Sequence, residues 1–214
     1  MKAPLNRIKR YFVPRCLLFL TLYFQLNLSF AQNLDIDLLE KINLERNKSF
    51  DPTFTVITNS VTPLSFGVPI ILIGIGQIKK DTSITNKGII VGEAFCVNAF
   101  TTTALKYAFR RDRPFVTYPY IDKQADAGSP SFPSGHTSSA FALATSLSLT
   151  MPKWYVIAPA YVYASAVGYS RMHLGVHYPS DVLAGAIVGA GSAFLSYHLQ
   201  EIISHSKRKN RIRL

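Results

Sequence analysis

Five apolar stretches, at about 54–78, 88–109, 136–151, 154–169 and 182–204, govern what this chain can fold into. A segment that enters lipid must satisfy its own backbone amides, because hydrocarbon offers them no partner, and a helix does so within one segment. The first, second and fifth stretches reach the roughly 20 residues that a helix needs to span a bilayer. The other two are shorter and rich in Ala, Ser, Gly and Thr, residues that let helices approach closely in a bundle. A soluble all-helical core is the competing fold. The last stretch argues against it, with no charge before Glu201 and with Gly185, Gly189 and Gly191 along it. No stretch shows sustained period-2 alternation between turn signals, so no sheet is expected. The predicted fold is all-α: a transmembrane bundle of five helices preceded by an N-terminal signal peptide or anchor.

Charge placement sharpens this. A net charge of +11 would suit nucleic acid if it were spread along a fold. Instead residues 1–31 and 205–214 each hold five basic residues and no acid, leaving one net charge for the 173 residues between. Met1–Arg15 is basic, Cys16–Phe30 is apolar, and Ser29-Phe30-Ala31 sets small residues where a signal peptidase reads. This predicts a signal peptide over 1–31 cleaved after Ala31, with an uncleaved anchor as the alternative. Cleavage would leave Cys96 alone, without an internal disulfide. Residues 32–53 carry Leu34, Ile36, Leu38, Leu39, Ile42 and Leu44 at spacings that predict an amphipathic helix around 35–47 on the outer membrane surface. The bundle then occupies 54–204, and 205–214 forms a basic cytoplasmic tail.

With residue 32 outside, Lys79, Lys80, Lys87, Lys153 and the tail Lys207–Arg213 all fall in the cytoplasm, as positive charge does in membrane proteins. The connections 110–135 and 170–181 then face outward, yet they hold Arg110, Arg111, Arg113 and Arg171. Binding an anionic group is the natural reason for cations on that side.

Three motifs lie on or beside those two connections: Lys106-x6-Arg113-Pro114, Pro133-Ser134-Gly135-His136 and Ser170-Arg171-x5-His177-x3-Asp181. Lys106, Arg113 and Arg171, from separate elements, can surround a phosphate, and an Arg fork matches its oxygens. Ser134 is a candidate N-cap, and the free N–H groups of the turn it opens favour an anion. Gly135 lets the backbone come close, and His136 sits on the same turn. His177 precedes Pro179, which suits the first turn of the last helix. Asp181 can accept a hydrogen bond from one ring nitrogen of His177, freeing the other as a nucleophile.

In order and spacing these motifs resemble those of the type 2 phosphatidic acid phosphatase superfamily, which also includes vanadium-dependent haloperoxidases. The resemblance covers roughly residues 50–204, and Asn59-Ser60-Val61-Thr62-Pro63 looks like the segment preceding the motifs in bacterial members. It implies a phosphatase in which His177 attacks phosphorus and forms a phosphohistidine. His136 would protonate the leaving oxygen and later activate water, Asp181 would orient His177, and Lys106, Arg113, Ser134, Gly135 and Arg171 would hold the phosphate. No metal or other cofactor is required, since protein cations supply the charge. The implied partners are a phosphorylated lipid substrate and the membrane lipids, with no nucleic acid and no obligate protein partner. The implied location is a bacterial inner membrane with the site facing the periplasm. Phosphatidate, phosphatidylglycerol phosphate, undecaprenyl diphosphate and lipid A are the candidate substrates.

The alternative is a secreted non-specific acid phosphatase acting on soluble phosphomonoesters. A haloperoxidase is disfavoured by the short chain and by Pro-Ser-Gly-His, the phosphatase form of the middle motif. A non-catalytic lipid-binding protein would need decayed motifs, and these are intact. Outside the motifs, Arg110 and Arg111 read as interfacial anchors or substrate attractors. His173 reads as a loop or pocket-wall residue, and His198 and His205 carry no chemistry. Phe115, Tyr118 and Tyr120 suit an aromatic belt or lid, and Trp154 the opposite interface.

Overall fold

The computed structural model describes residues 34–212, with side chains as far as 203. The predicted signal peptide over 1–31 lies outside the described residues, as do the side chains of the basic tail. Residues 1–38 and 39–214 form separate compact units. Of the first, only the opening of a helix at 34–38 is described.

The described residues contain helices, turns and loops and no strand. Helix α1 covers 34–44. A short 3-10 turn at Lys48–Phe50 leads into α2 (Asp51–Asn59) and α3 (Val61–Ile78). Then come α4 (Thr82–Phe109), the single turn α5 (Pro114–Thr117), α6 (Gly135–Thr150), α7 (Trp154–His173) and α8 (Pro179–Ile212). Among the described residues three segments are long and apolar enough to cross a membrane: Lys48–Ile78, Thr82–Thr117 and Pro179–Ile203.

The apolar stretches foretell these helices, with three differences. The first stretch is broken at Ser60. Pro63 has no N–H to give Asn59 and its ring crowds that carbonyl, so the chain restarts as α3. Helix α7 runs on to His173, so Arg171 and His173 belong to its last turn rather than to a loop. It stops where Gly175 takes a left-handed φ of +70°, against Asp122 O and Asn43 Nδ2, where a side chain has no room. Helix α8 begins three residues before the apolar stretch, at Pro179, which holds the first turn as the sequence suggests and leaves His177 in the connection before it.

The interior is made of small, polar residues. Helix α6 buries Thr137, Ser138, Ala140, Ala142, Ala144, Thr145 and Ser146. Facing it, α8 brings Gly185, Gly189, Ser192 and Ser196, the two serines being buried. The hydroxyls are satisfied within their own helices: Ser138 donates to Gly135 O at 3.0 Å, Ser146 to Leu143 O at 3.1 Å and Ser192 to Val188 O at 2.8 Å. With no long side chains between them, the two backbones approach closely. The large apolar side chains instead face outward, among them Phe66, Ile70 and Ile71 on α3 and Leu183, Ile187 and Leu195 on α8. In water this inside-out distribution would be costly, and in lipid it costs nothing.

Asn43, wholly buried, ties three elements together. Its amide donates to Asp122 O at 3.0 Å and to His173 O at 2.9 Å, and its carbonyl oxygen accepts from Asp122 N at 2.9 Å. Arg46 reinforces this fork. It grips Asp51 with both ends of its guanidinium, at 2.9 and 3.0 Å, and reaches Asp122 Oδ2 at 2.9 Å. His173 closes the cluster through Nε2 to Asp51 Oδ1 at 2.8 Å. The loop that follows α5 is thereby pinned to Asn43 on α1, to Arg46 and, through Asn43, to the end of α7.

Candidate active site

Helix α4 ends because Arg110 adopts a left-handed φ of +48° and turns the chain. Arg113 is extended (φ −80°, ψ 155°) and Pro114 opens α5. Residues two apart on an extended chain project to the same side, so Arg111 and Arg113 face the bundle while Asp112 is exposed. The segment Ser129-Pro130-Ser131 lies across them. Arg113 Nε donates to Ser129 O at 2.8 Å, Lys106 Nζ donates to Pro130 O at 2.5 Å, and Ser131 N donates to Arg111 O at 2.8 Å.

The N-terminus of α6 is set against α8 by Ser134 N, which donates to Asp181 O at 3.0 Å, and by Gly185, whose missing Cβ would stand 2.6 Å from Ser134 O. Ser134 holds the N-cap position, as predicted, but its hydroxyl meets Thr137 Oγ1 at 2.9 Å and caps no backbone N–H. The amides of that first turn stay available to an anion. At Gly135 a methyl group would meet Lys106 Cε at an ordinary 3.8 Å, so packing alone does not demand glycine. Its use is the open space it leaves beside Lys106.

A cavity of about 450 Å³ opens between these elements. Lys106, Arg113, Gly135, His136, Arg171 and His177 line it, with Val61, Phe95, Ala99 and Tyr107 forming an apolar flank. Of the predicted site residues, Ser134 and Asp181 lie behind its wall. His136 borders a second recess as well, lined by polar residues including Asn59, Lys123 and Gln124.

Two of the cations, Arg113 and Arg171, are buried, and Asp126 lines the same cavity. Arg171 is 2% exposed, donates to Thr58 Oγ1 at 2.8 Å, and has no partner for Nε among the described residues. Arg113 spends its donors on the carbonyls of Ser129 and Val176, both at 2.8 Å, and lies 3.3 Å from His177 Nε2. His177 is 1% exposed, and burial pushes its imidazole down to about 3, so it is neutral at physiological pH. Its Nδ1 faces Asp181 Oδ2 and Ser131 Oγ, each at 3.4 Å, and Nε2 faces Arg113 in the cavity wall.

Several neighbours escaped the motif reading. Arg111 anchors on Asp181 Oδ1 at 2.8 Å, not on the interface. Ser131 and Thr58 hold Asp181 and Arg171, with no local signal to mark them. Two arginines at extended spacing before Pro114 were the one usable clue for Arg111. His173 lines a separate recess with Phe54, whose ring centre is 4.4 Å from its own. Arg110 binds back to Tyr107 O at 3.1 Å, and His198 pairs with Glu201 at 3.1 Å on the surface. Among the described residues no group of three or more His, Cys, Asp or Glu is arranged to hold a metal ion.

Among the described residues, three segments are long and apolar enough to cross a membrane, and two buried arginines meet two histidines around one cavity. The chain belongs to the PAP2 superfamily, whose family model matches residues 87–203. It is 36% identical over 117 residues to an undecaprenyl-diphosphatase of Sulfolobus acidocaldarius, covering 53% of this chain and 55% of that one. It is 40% identical over 101 residues to a lipid A 1-phosphatase of Porphyromonas gingivalis, covering 46% of this chain and 20% of the relative. The chain thus spans about half the length, or less, of these curated relatives. Among solved structures it resembles a PAP2 type phosphatidylglycerolphosphate phosphatase from Bacillus subtilis, with TM-score 0.70 and 28% identity over 89% of this chain and 96% of that one. Aquifex aeolicus LpxE gives TM-score 0.66 and 29% identity over 77% of this chain and 95% of that one.

Proposed function

We propose that this chain is a phosphatase that hydrolyses a lipid phosphate or diphosphate at the periplasmic face of a bacterial inner membrane. The observation that carries the reading is the cavity itself. Three cations, one of them with an unpartnered buried Nε, converge with His136 and His177 at the end of a helical bundle whose outer faces are apolar. Relatives named for undecaprenyl diphosphate and lipid A support the substrate class.

In this reading the substrate phosphate displaces the carbonyls of Ser129 and Pro130 from Arg113 and Lys106 and takes up Arg171 Nε. His177 Nε2 attacks phosphorus, the bond from phosphorus to the lipid oxygen breaks, and His136 gives that oxygen a proton. His136 then takes a proton from a water that attacks the phosphohistidine, the N–P bond breaks, and orthophosphate leaves. Lys106, Arg113 and Arg171 stabilise charge on the equatorial oxygens throughout. The apolar flank of the cavity holds the lipid part, with five helices crossing the membrane and α1 lying at its outer surface. Residues 1–31 act as the export signal.

The test is orthophosphate release by the detergent-purified chain in EDTA from phosphatidate, phosphatidylglycerol phosphate, undecaprenyl diphosphate and lipid A. Release from at least one, inhibited by vanadate, is the expected result. Release confined to soluble monoesters, by a chain that carbonate strips from membranes, would instead identify the secreted acid phosphatase.

A further inference from the structure

Asp181 is wholly buried, and His177 is the most distant of its polar partners. Oδ1 accepts from Arg111 Nη1 at 2.8 Å, and the same nitrogen reaches Ser180 Oγ at 2.7 Å. The Arg111 guanidinium lies 3.9 Å over the Tyr178 ring. Oδ2 accepts from Ser131 Oγ at 2.5 Å and from Tyr178 N at 3.0 Å, and stands 3.4 Å from His177 Nδ1. Ser131 and Arg111 are themselves joined through Ser131 N and Arg111 O at 2.8 Å.

A carboxylate with no access to water stays ionised only beside a compensating cation and a full set of donors. The His177 ring, 3.4 Å away, is not the nearest such group. Arg111 is, and it does not line the cavity, so its charge serves Asp181 and not the phosphate. The two arginines therefore divide the work at opposite ends of one pair: Arg113 faces His177 Nε2 and Arg111 faces Asp181 Oδ1.

We infer that Arg111, assisted by Ser131, is a positioning residue for the reaction proposed above: it keeps Asp181 ionised and oriented, so that His177 carries its proton on Nδ1 and presents a bare Nε2 to the cavity. The ionised Asp181 Oδ2 facing Nδ1 then selects that tautomer. The opposite tautomer would put a proton where phosphorus must be attacked.

The test uses the full chain in detergent with a lipid that the wild type cleaves. Arg111→Met should lower kcat by about tenfold or more while KM stays within about twofold, the pattern of a lost orienting partner. The acid limb of the kcat profile should change, because the variant removes the ion-pair partner of Asp181. Arg111→Lys should restore part of kcat, and Ser131→Ala should shift the same limb less far. In an Asp181→Asn background Arg111→Met should cost no more than about a further twofold. A wild-type profile in Arg111→Met, a full additive loss in the Asp181→Asn background, or a rise in KM at constant kcat would each overturn the assignment. Nitrogen NMR of His177 decides the point without turnover. The wild type should show Nδ1–H, and Arg111→Met and Ser131→Ala a mixture of tautomers. An unchanged His177 signal in both variants overturns the inference, whereas absent phosphate release in the wild type overturns the phosphatase reading alone. Should Arg111→Met fail to fold, Arg111→Lys and Ser131→Ala carry the same readouts.

Discussion

His177→Ala is expected to lower phosphate release by about ten-thousandfold, the scale of losing a nucleophile that works with an orienting acid. Three features set this size. The imidazole is buried and open only to the cavity, so it is held in place at the position of attack. Burial holds it near 3, so its lone pair is available at any pH at which lipid phosphates are handled. His136 cannot substitute, because among the described residues no carboxylate orients its ring and it comes from the opposite wall, on α6. The cations are untouched by the substitution, so vanadate should still bind the variant within a fewfold of wild type. The paired measurement is trapping of acid-labile, alkali-stable phosphoprotein: present in His136→Ala, absent in His177→Ala. A His177→Ala enzyme that keeps a tenth of the wild-type rate would remove this residue from the reaction.

Gly189→Ala should have the largest effect on folding, costing about 3 kcal/mol or more. A Cβ there would overlap Ser138 O on α6 and stand 2.9 Å from Ala142 N. Both are backbone atoms, which cannot rotate aside, so α6 and α8 would have to separate. Gly191, two residues on, has nothing within 4 Å of the place its Cβ would take. Gly191→Ala should therefore be neutral or stabilise by up to about 1 kcal/mol through helix propensity. Thermal unfolding of the two variants in one detergent makes the comparison. Equal midpoints would show that α6 and α8 can part at little cost. Activity should follow, because α6 carries His136 and the start of α8 carries Asp181, and parting the helices widens the gap between the two histidines.

What could be read in advance divides along a physical line. Lys106, Arg113, His136, Arg171 and His177 were legible because they stand in motifs whose order and spacing resemble a known family's, and one cavity gathers them. The helices were legible as apolar runs, several with their ends: α3 stops at Ile78, α4 stops at Phe109 and α7 starts at Trp154, as the runs do. The break in the first run and the end of α7 were not. Pro63 breaks the first run by removing a donor, and α7 continues to His173 because nothing before Gly175 obliges it to stop. Arg111, Ser131, Thr58 and Asn43 were illegible for a different reason. Each acts through a partner far along the chain, 50 residues for Ser131 with Asp181 and 113 for Thr58 with Arg171. A polar side chain that pairs at such distance leaves no local pattern. Arg111 thus looked like an interfacial anchor or a substrate attractor although it pairs with buried Asp181.

The Asn43 fork has a consequence for anyone who would recombine this chain with its relatives. The segment common to the family runs over 87–203 and includes the loop after α5 but not its fastening. Asn43 and Arg46 are that fastening, and they answer to the backbone and carboxylate of Asp122. Loop and fastening are therefore matched parts. A chimera that imports the loop alone would receive a cover without its hinge pin, and one that imports residues 39–51 along with it would receive a working set.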